Sequence, residues 1–116
     1  MMTLRIYHNP RCSKSRQTLQ LLEERGLQPE VVRYLDTPPS EAELDQLLQL
    51  LDLEPRALMR RKEAEYQELG LDHPDLSREE LIQAMVRNPR LIERPIVVHG
   101  ARAALGRPPE RVLDIL

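Results

Sequence analysis

Cysteine occurs once in the chain, as Cys12 within His8-Asn9-Pro10-Arg11-Cys12-Ser13-Lys14-Ser15-Arg16, between a short apolar stretch and the first segment with helical periodicity. A thiolate is the reactive form of cysteine. The amide donors and dipole of a helix N-terminus, together with nearby cations, lower a thiol's pKa. His8, Arg11, Lys14 and Arg16 are the cations expected to act here, and no Asp or Glu precedes Glu23. The other reading of a lone thiol is a buried core cysteine, but proline, arginine, serine and lysine neighbours are not core residues. Cys12 is therefore the candidate nucleophile. His73 and His99 are too scattered to complete a zinc site with a single cysteine, so no metal is expected.

The elements around Cys12 follow from local pattern. Thr3 to Tyr7 alternates like a short strand, which His8-Asn9-Pro10 ends. The spacing from Ser13 to Arg25 predicts a helix with Ser15, Thr18, Leu19 and Leu22 on one face. Gly26 fits its left-handed stop, and Leu27 is placed to touch Leu22 as a Schellman motif requires. Glu30 to Leu35 reads as a second strand, giving a parallel strand-helix-strand unit. The middle is helical. Ser40 and Glu43 form a capping box before the stripe Leu44, Leu47, Leu48 and Leu51, and Pro55 opens a short helix running through Leu58 and Met59 to Arg60-Arg61-Lys62. A further turn is expected around Tyr66 and Leu69 to Gly70. Ser77 and Glu80 cap a helix bearing Leu81, Ile82, Met85 and Val86, stopped at Asn88-Pro89.

Near the C-terminus, Ile96-Val97-Val98-His99 and Arg102-Ala103-Ala104-Leu105 flank Gly100-Ala101, a hairpin loop with glycine at its first central position. That loop sets the register: His99 faces Arg102, Val97 faces Ala104 and Arg94 faces Arg107. Opposed like charges repel across a sheet, so an anion between the arginines or a splaying of both into solvent is expected. Pro108-Pro109-Glu110 then leads into a short terminal helix with Val112, Leu113, Ile115 and Leu116.

A chain of 116 residues without repeats or linkers predicts one domain spanning residues 1–116. One cysteine forms no internal bridge, and neither a signal-peptide pattern nor a membrane-length apolar run occurs, so a monomeric protein in a reducing cytoplasm is expected, without a membrane. The chain lacks Phe and Trp, so the stacking platforms used by single-strand binders are missing and nucleic acid is not the expected partner. The net charge of -2 hides a segregation into basic ends and an acidic middle. A fold that joins those ends makes a local cationic site suited to a small anion. Arg5, Arg87, Arg90 and Arg111 read as ordinary solvated charge.

The order strand, helix, strand, inserted helices, hairpin and terminal helix is thioredoxin-like. This is an α/β fold with a small mixed sheet, parallel in its N-terminal strands and closed by the hairpin. The residues add detail. Ile6 to Arg16, Tyr34-Leu35 through Pro38-Pro39, Arg56 to Arg60, Tyr66 to Leu71, Arg94 to Val98 and Arg107-Pro108 together resemble the glutaredoxin-dependent arsenate reductase (ArsC) family. The resemblance implies that Cys12 is the nucleophile, that His8 helps to depress its pKa, and that Arg60, Arg94 and Arg107 bind the oxyanion. Ser15, Arg16 and Pro95 are implied as supporting residues, with Arg94-Pro95 a cis bond, and Arg61 rivals Arg60. It further implies arsenate as substrate, glutathione as co-substrate, glutaredoxin as partner and no tightly bound cofactor. A low-molecular-weight phosphatase loop would place arginine where Thr18 stands, and an Spx-type Cys-x-x-Cys switch would need cysteine where Ser15 stands. Longer family members carry a C-terminal tail beyond the point corresponding to Leu116. A glutathione-dependent thiol oxidoreductase with another substrate, or an Spx-like regulator, are the alternatives to arsenate reduction.

Overall fold

A computed structural model describes residues 3–116. The regular elements run β1 (Leu4–Tyr7), α1 (Ser13–Glu24), β2 (Glu30–Val32), α2 (Glu41–Leu51), a 3-10 helix (Pro55–Leu58), α3 (Ala64–Glu68), α4 (Arg78–Arg87), a second 3-10 turn (Pro89–Leu91), β3 (Ile96–His99), β4 (Arg102–Leu105) and a terminal 3-10 helix (Pro109–Ile115). They fall into two compact units, residues 3–37 with 94–116, and residues 38–93.

The first unit is built on a four-stranded sheet in the order β2-β1-β3-β4. Strand β2 runs parallel to β1, with Arg5 opposite Glu30, while β3 runs antiparallel to β1, with Tyr7 opposite Ile96. The hairpin has the register that its loop dictates, Val97 facing Ala104 and His99 facing Arg102, and Gly100 takes the positive φ of 61° that the turn needs. Leu22 of α1, Ile6, Val97, Val112 and Ile115 form one buried cluster, with Leu4, Leu19, Leu21 and Leu27 packed around it. Aliphatic burial of this kind contributes roughly 1.5–3 kcal/mol per side chain, and it clamps α1 against the sheet. The C-terminus of α1 is a Schellman motif: the Leu27 amide donates to the Leu22 carbonyl at 3.1 Å and the Gly26 amide to Glu23 at 2.9 Å.

Two expectations change in extent. The second strand stops at Val32 rather than Leu35, because the chain turns there, with the Asp36 and Thr37 amides both donating to the Arg33 carbonyl. The terminal helix is of the 3-10 type, and it buries Pro109, Val112 and Ile115.

In the second unit, α2 packs against α4, burying Leu44, Leu47 and Leu48 from one and Leu81, Ile82 and Met85 from the other. Ser40 accepts a hydrogen bond from the Glu43 amide, and Ser77 with Glu80 makes the full reciprocal box. The 3-10 helix opened by Pro55 is followed by Met59, in extended geometry, which bridges to Ile92. Among the described residues, no helix is long and apolar enough to cross a membrane.

Candidate active site

The loop between β1 and α1 is held by its own hydrogen bonds. The His8 amide donates to the Val32 carbonyl at 2.8 Å, which extends the β1–β2 ladder by one residue. Beyond it, the Asn9 side chain accepts from the Arg11 amide at 3.0 Å, and the Asn9 carbonyl accepts from the Cys12 amide at 3.0 Å, so the chain turns tightly around Asn9. Ser15, fully buried in the first turn of α1, accepts from the Asn9 amide at 3.0 Å and meets His8 Nδ1 at 2.6 Å. Arg16 closes the loop from the other side by donating to the Pro10 carbonyl at 2.9 Å.

This framework sets Cys12 at the N-cap of α1 in extended backbone geometry, with its side chain half-buried. Four influences act on the thiol. Burial, the largest, raises its pKa. The Ser15 amide, the Arg94 side chain through a hydrogen bond and through its charge, and the Lys14 amide all lower it. The lowering influences prevail, so the thiol ionises more readily than an ordinary cysteine. The sulfur makes no capping hydrogen bond of strict geometry. The amides of Ser15 and Lys14 nonetheless lie close enough to favour the anion, as the free donors of a helix N-terminus do.

The cation that acts on Cys12 is Arg94, which was expected as an oxyanion ligand rather than as a partner of the thiol. His8 does not supply a positive charge at neutral pH. Burial, and then the charges of Arg33 and Arg16, hold its imidazole below the usual histidine pKa, with Glu23 opposing weakly. Its visible contact is with the Ser15 hydroxyl, so His8 holds in place the residue whose amide faces the sulfur. Neither Arg11, Lys14 nor Arg16 appears among the charges that shift Cys12.

The register explains how Arg94 arrives there. Tyr7 at the end of β1 pairs with Ile96 at the start of β3, so the segments leaving both strands, toward Cys12 and from Arg94, lie at the same end of the sheet. Both Arg94-Pro95 and Arg107-Pro108 are cis peptide bonds. Arg107 donates from Nη1 to the Arg94 carbonyl at 3.0 Å, and the Gly106 amide donates to the Pro95 carbonyl at 2.9 Å. The opposed arginines predicted from the hairpin are thus linked guanidinium to backbone rather than left in direct repulsion. Gly106 is needed at its position, because a Cβ there would sit 2.5 Å from the Thr18 hydroxyl oxygen and 2.8 Å from a Pro95 ring carbon.

Arg60 lies in the second unit, where Nη1 pairs with Glu63 at 2.6 Å and Nε approaches Glu93 at 3.7 Å. Glu63 also pairs with Arg90 at 3.3 Å. Arg61 is exposed. Asn9 shapes the site although the sequence marks it only as a strand end, and an asparagine just before a proline and a helix is a recognisable turn signal. Among the described residues, no group of three or more His, Cys, Asp or Glu side chains is placed to hold a metal.

The sequence model of the ArsC family matches residues 7–115. The chain belongs to the ArsC family. Another similar sequence, uncharacterized protein YfgD of Escherichia coli K12, is 59% identical over 114 residues, covering 97% of this chain and 96% of its own. A protein of Neisseria meningitidis serogroup A named arsenate reductase is 50% identical over 117 residues, covering the whole of both chains. The solved structure of an arsenate reductase from Vibrio cholerae superposes with a TM-score of 0.96 at 56% identity, covering 99% of this chain and 98% of that one. The fold is thioredoxin-like.

Proposed function

We propose that the protein reduces arsenate to arsenite, with Cys12 as nucleophile and glutathione and glutaredoxin as reductants. The observation that carries this reading is a thiol at the N-cap of α1 whose anion is favoured by an arginine from the far end of the chain. Guanidinium groups suit tetrahedral oxyanions because their planar donors can pair two oxygens at once. Arg94 and Arg107 are the arginines that meet in the first unit, and the family resemblance implies Arg60 as a further oxyanion ligand.

The Cys12 thiolate attacks arsenic and an oxygen leaves as water, giving a sulfur–arsenic bond with arsenic still pentavalent. A glutathione thiolate then attacks the Cys12 sulfur. The sulfur–arsenic bond breaks with its electron pair retained by arsenic, which becomes trivalent and departs as arsenite. The two sulfurs are left as a Cys12–glutathione disulfide. Since this is the chain's only cysteine, a second external thiol must regenerate Cys12, the role assigned to glutaredoxin with further glutathione. His8 and Ser15 position the loop, and Arg16 and Pro95 support it.

Coupled arsenate reduction by the wild type, Cys12→Ser and Arg107→Ala is the test. The reading requires activity that depends on both reductants, is abolished in Cys12→Ser, and falls in Arg107→Ala while Cys12 still alkylates. Arsenate reduction that persists in Cys12→Ser overturns it.

A further inference from the structure

Beside the Cys12 loop lies a cavity of about 190 Å³ within the first unit, lined by His8, Asn9, Pro10, Arg11, Arg33, Leu35 and Asp36. Its charges come in a specific set. Arg33 pairs with Asp36 at 3.3 Å, both side chains being largely exposed, and the charge of Arg33 is felt by His8. Arg11 is exposed, and among the described residues its guanidinium makes no hydrogen bond or ion pair. With His8 neutral, the cavity presents two guanidinium groups and one carboxylate. That set complements a free α-amino acid group, whose carboxylate needs donors and whose ammonium needs an acceptor.

Size agrees with this. At about 30 Å³ per water the space holds about six waters. It is smaller than the pockets of roughly 300 Å³ and above that enclose whole drug-sized ligands, so it fits one end of a peptide rather than all of it. Position agrees as well. Arg11 directly precedes Cys12, so their Cα atoms are about 3.8 Å apart, and the arm from the α-carboxylate of a γ-glutamyl group to the neighbouring cysteine sulfur spans eight bonds, a reach of up to about 10 Å.

We infer that this cavity seats the γ-glutamyl end of glutathione, with its α-carboxylate on Arg11 and Arg33 and its ammonium on Asp36, so that the glutathione sulfur reaches Cys12. This rests on the proposal that glutathione is the co-substrate, and the test is chosen to separate the two. Thiol–disulfide exchange needs no arsenate: the Cys12 thiolate attacks one sulfur of oxidised glutathione, forms a Cys12–glutathione disulfide and releases one glutathione thiolate. The rate is compared for the wild type and Arg11→Gln/Arg33→Gln, using oxidised glutathione, the disulfide of cysteinylglycine, which lacks the γ-glutamyl group, and neutral 2-hydroxyethyl disulfide.

The double variant should lose about tenfold with oxidised glutathione, equivalent to about 1.4 kcal/mol, and less than about twofold with the other two probes. An unchanged rate with oxidised glutathione overturns the inference. So does an equal loss with all three probes, which would mark a general effect of charge on Cys12. If wild-type Cys12 exchanges no faster than an ordinary thiol with any probe, the co-substrate reading falls along with it.

Discussion

Removing the Arg94 guanidinium while keeping its length, as in Arg94→Met, should change how Cys12 reacts in a way that depends on pH. Arg94 acts on the sulfur through a hydrogen bond and through charge. Hydrogen bonds to charged groups contribute about 1.5–3 kcal/mol, and the half-exposed position and the sharing of the sulfur with two amides favour the low end. About 1.4 kcal/mol corresponds to about tenfold less thiolate below the titration midpoint. The remaining thiolate is more nucleophilic, because reactivity rises with basicity with a Brønsted slope of about 0.4–0.5, which restores about threefold. Alkylation by iodoacetamide, followed from pH 5 to 10, should therefore run about threefold slower in the variant at neutral pH. It should run about threefold faster on the alkaline plateau, so that the two profiles cross. Superimposable profiles, or a constant ratio at every pH, would refute the role given to Arg94.

Gly106→Ala should destabilise the fold by about 1–3 kcal/mol, the range for forcing extra volume into a packed site, because the new Cβ meets Thr18 and Pro95; chemical denaturation measures this, and an unchanged midpoint would contradict it. His8 gives a pH dependence of stability. Its folded pKa lies below the reference 6.5, so in acid the unfolded chain binds a proton that the folded chain resists, and stability is lost as pH falls below about 6.5. Thermal melts of the wild type should show this loss between pH 7 and 5, and His8→Gln should show less of it. Equal pH dependence in both would remove His8 as its source.

Much of the fold was legible because its signals are local. Gly26 with Leu27, the Ser77 and Glu80 box, and Gly100-Ala101 each fix backbone geometry within a few residues, and the hairpin register followed from its loop alone. Cys12 as N-cap was legible for the same reason. The partner of its thiol was not, since Arg94 reaches it only through the pairing of Tyr7 with Ile96, a contact between distant parts of the chain. The neutrality of His8 depends on burial and on Arg33 from the far side of the parallel pair, neither of which its flanking residues disclose. The turn after Val32 reads as continued strand because Tyr34, which the turn buries, and Leu35 suit a sheet. Arg60 meets Glu63 at the spacing of one helical turn, which is readable in sequence, and Glu93, which is not.

Whether Cys12 carries the electrons from thiol to arsenic is read directly by a single-turnover reaction. Protein, arsenate and glutathione are mixed without glutaredoxin, quenched in acid, and analysed for arsenite and for the mass on Cys12. The prediction is one Cys12–glutathione disulfide for every arsenite released. Arsenite appearing while Cys12 remains a free thiol would contradict it.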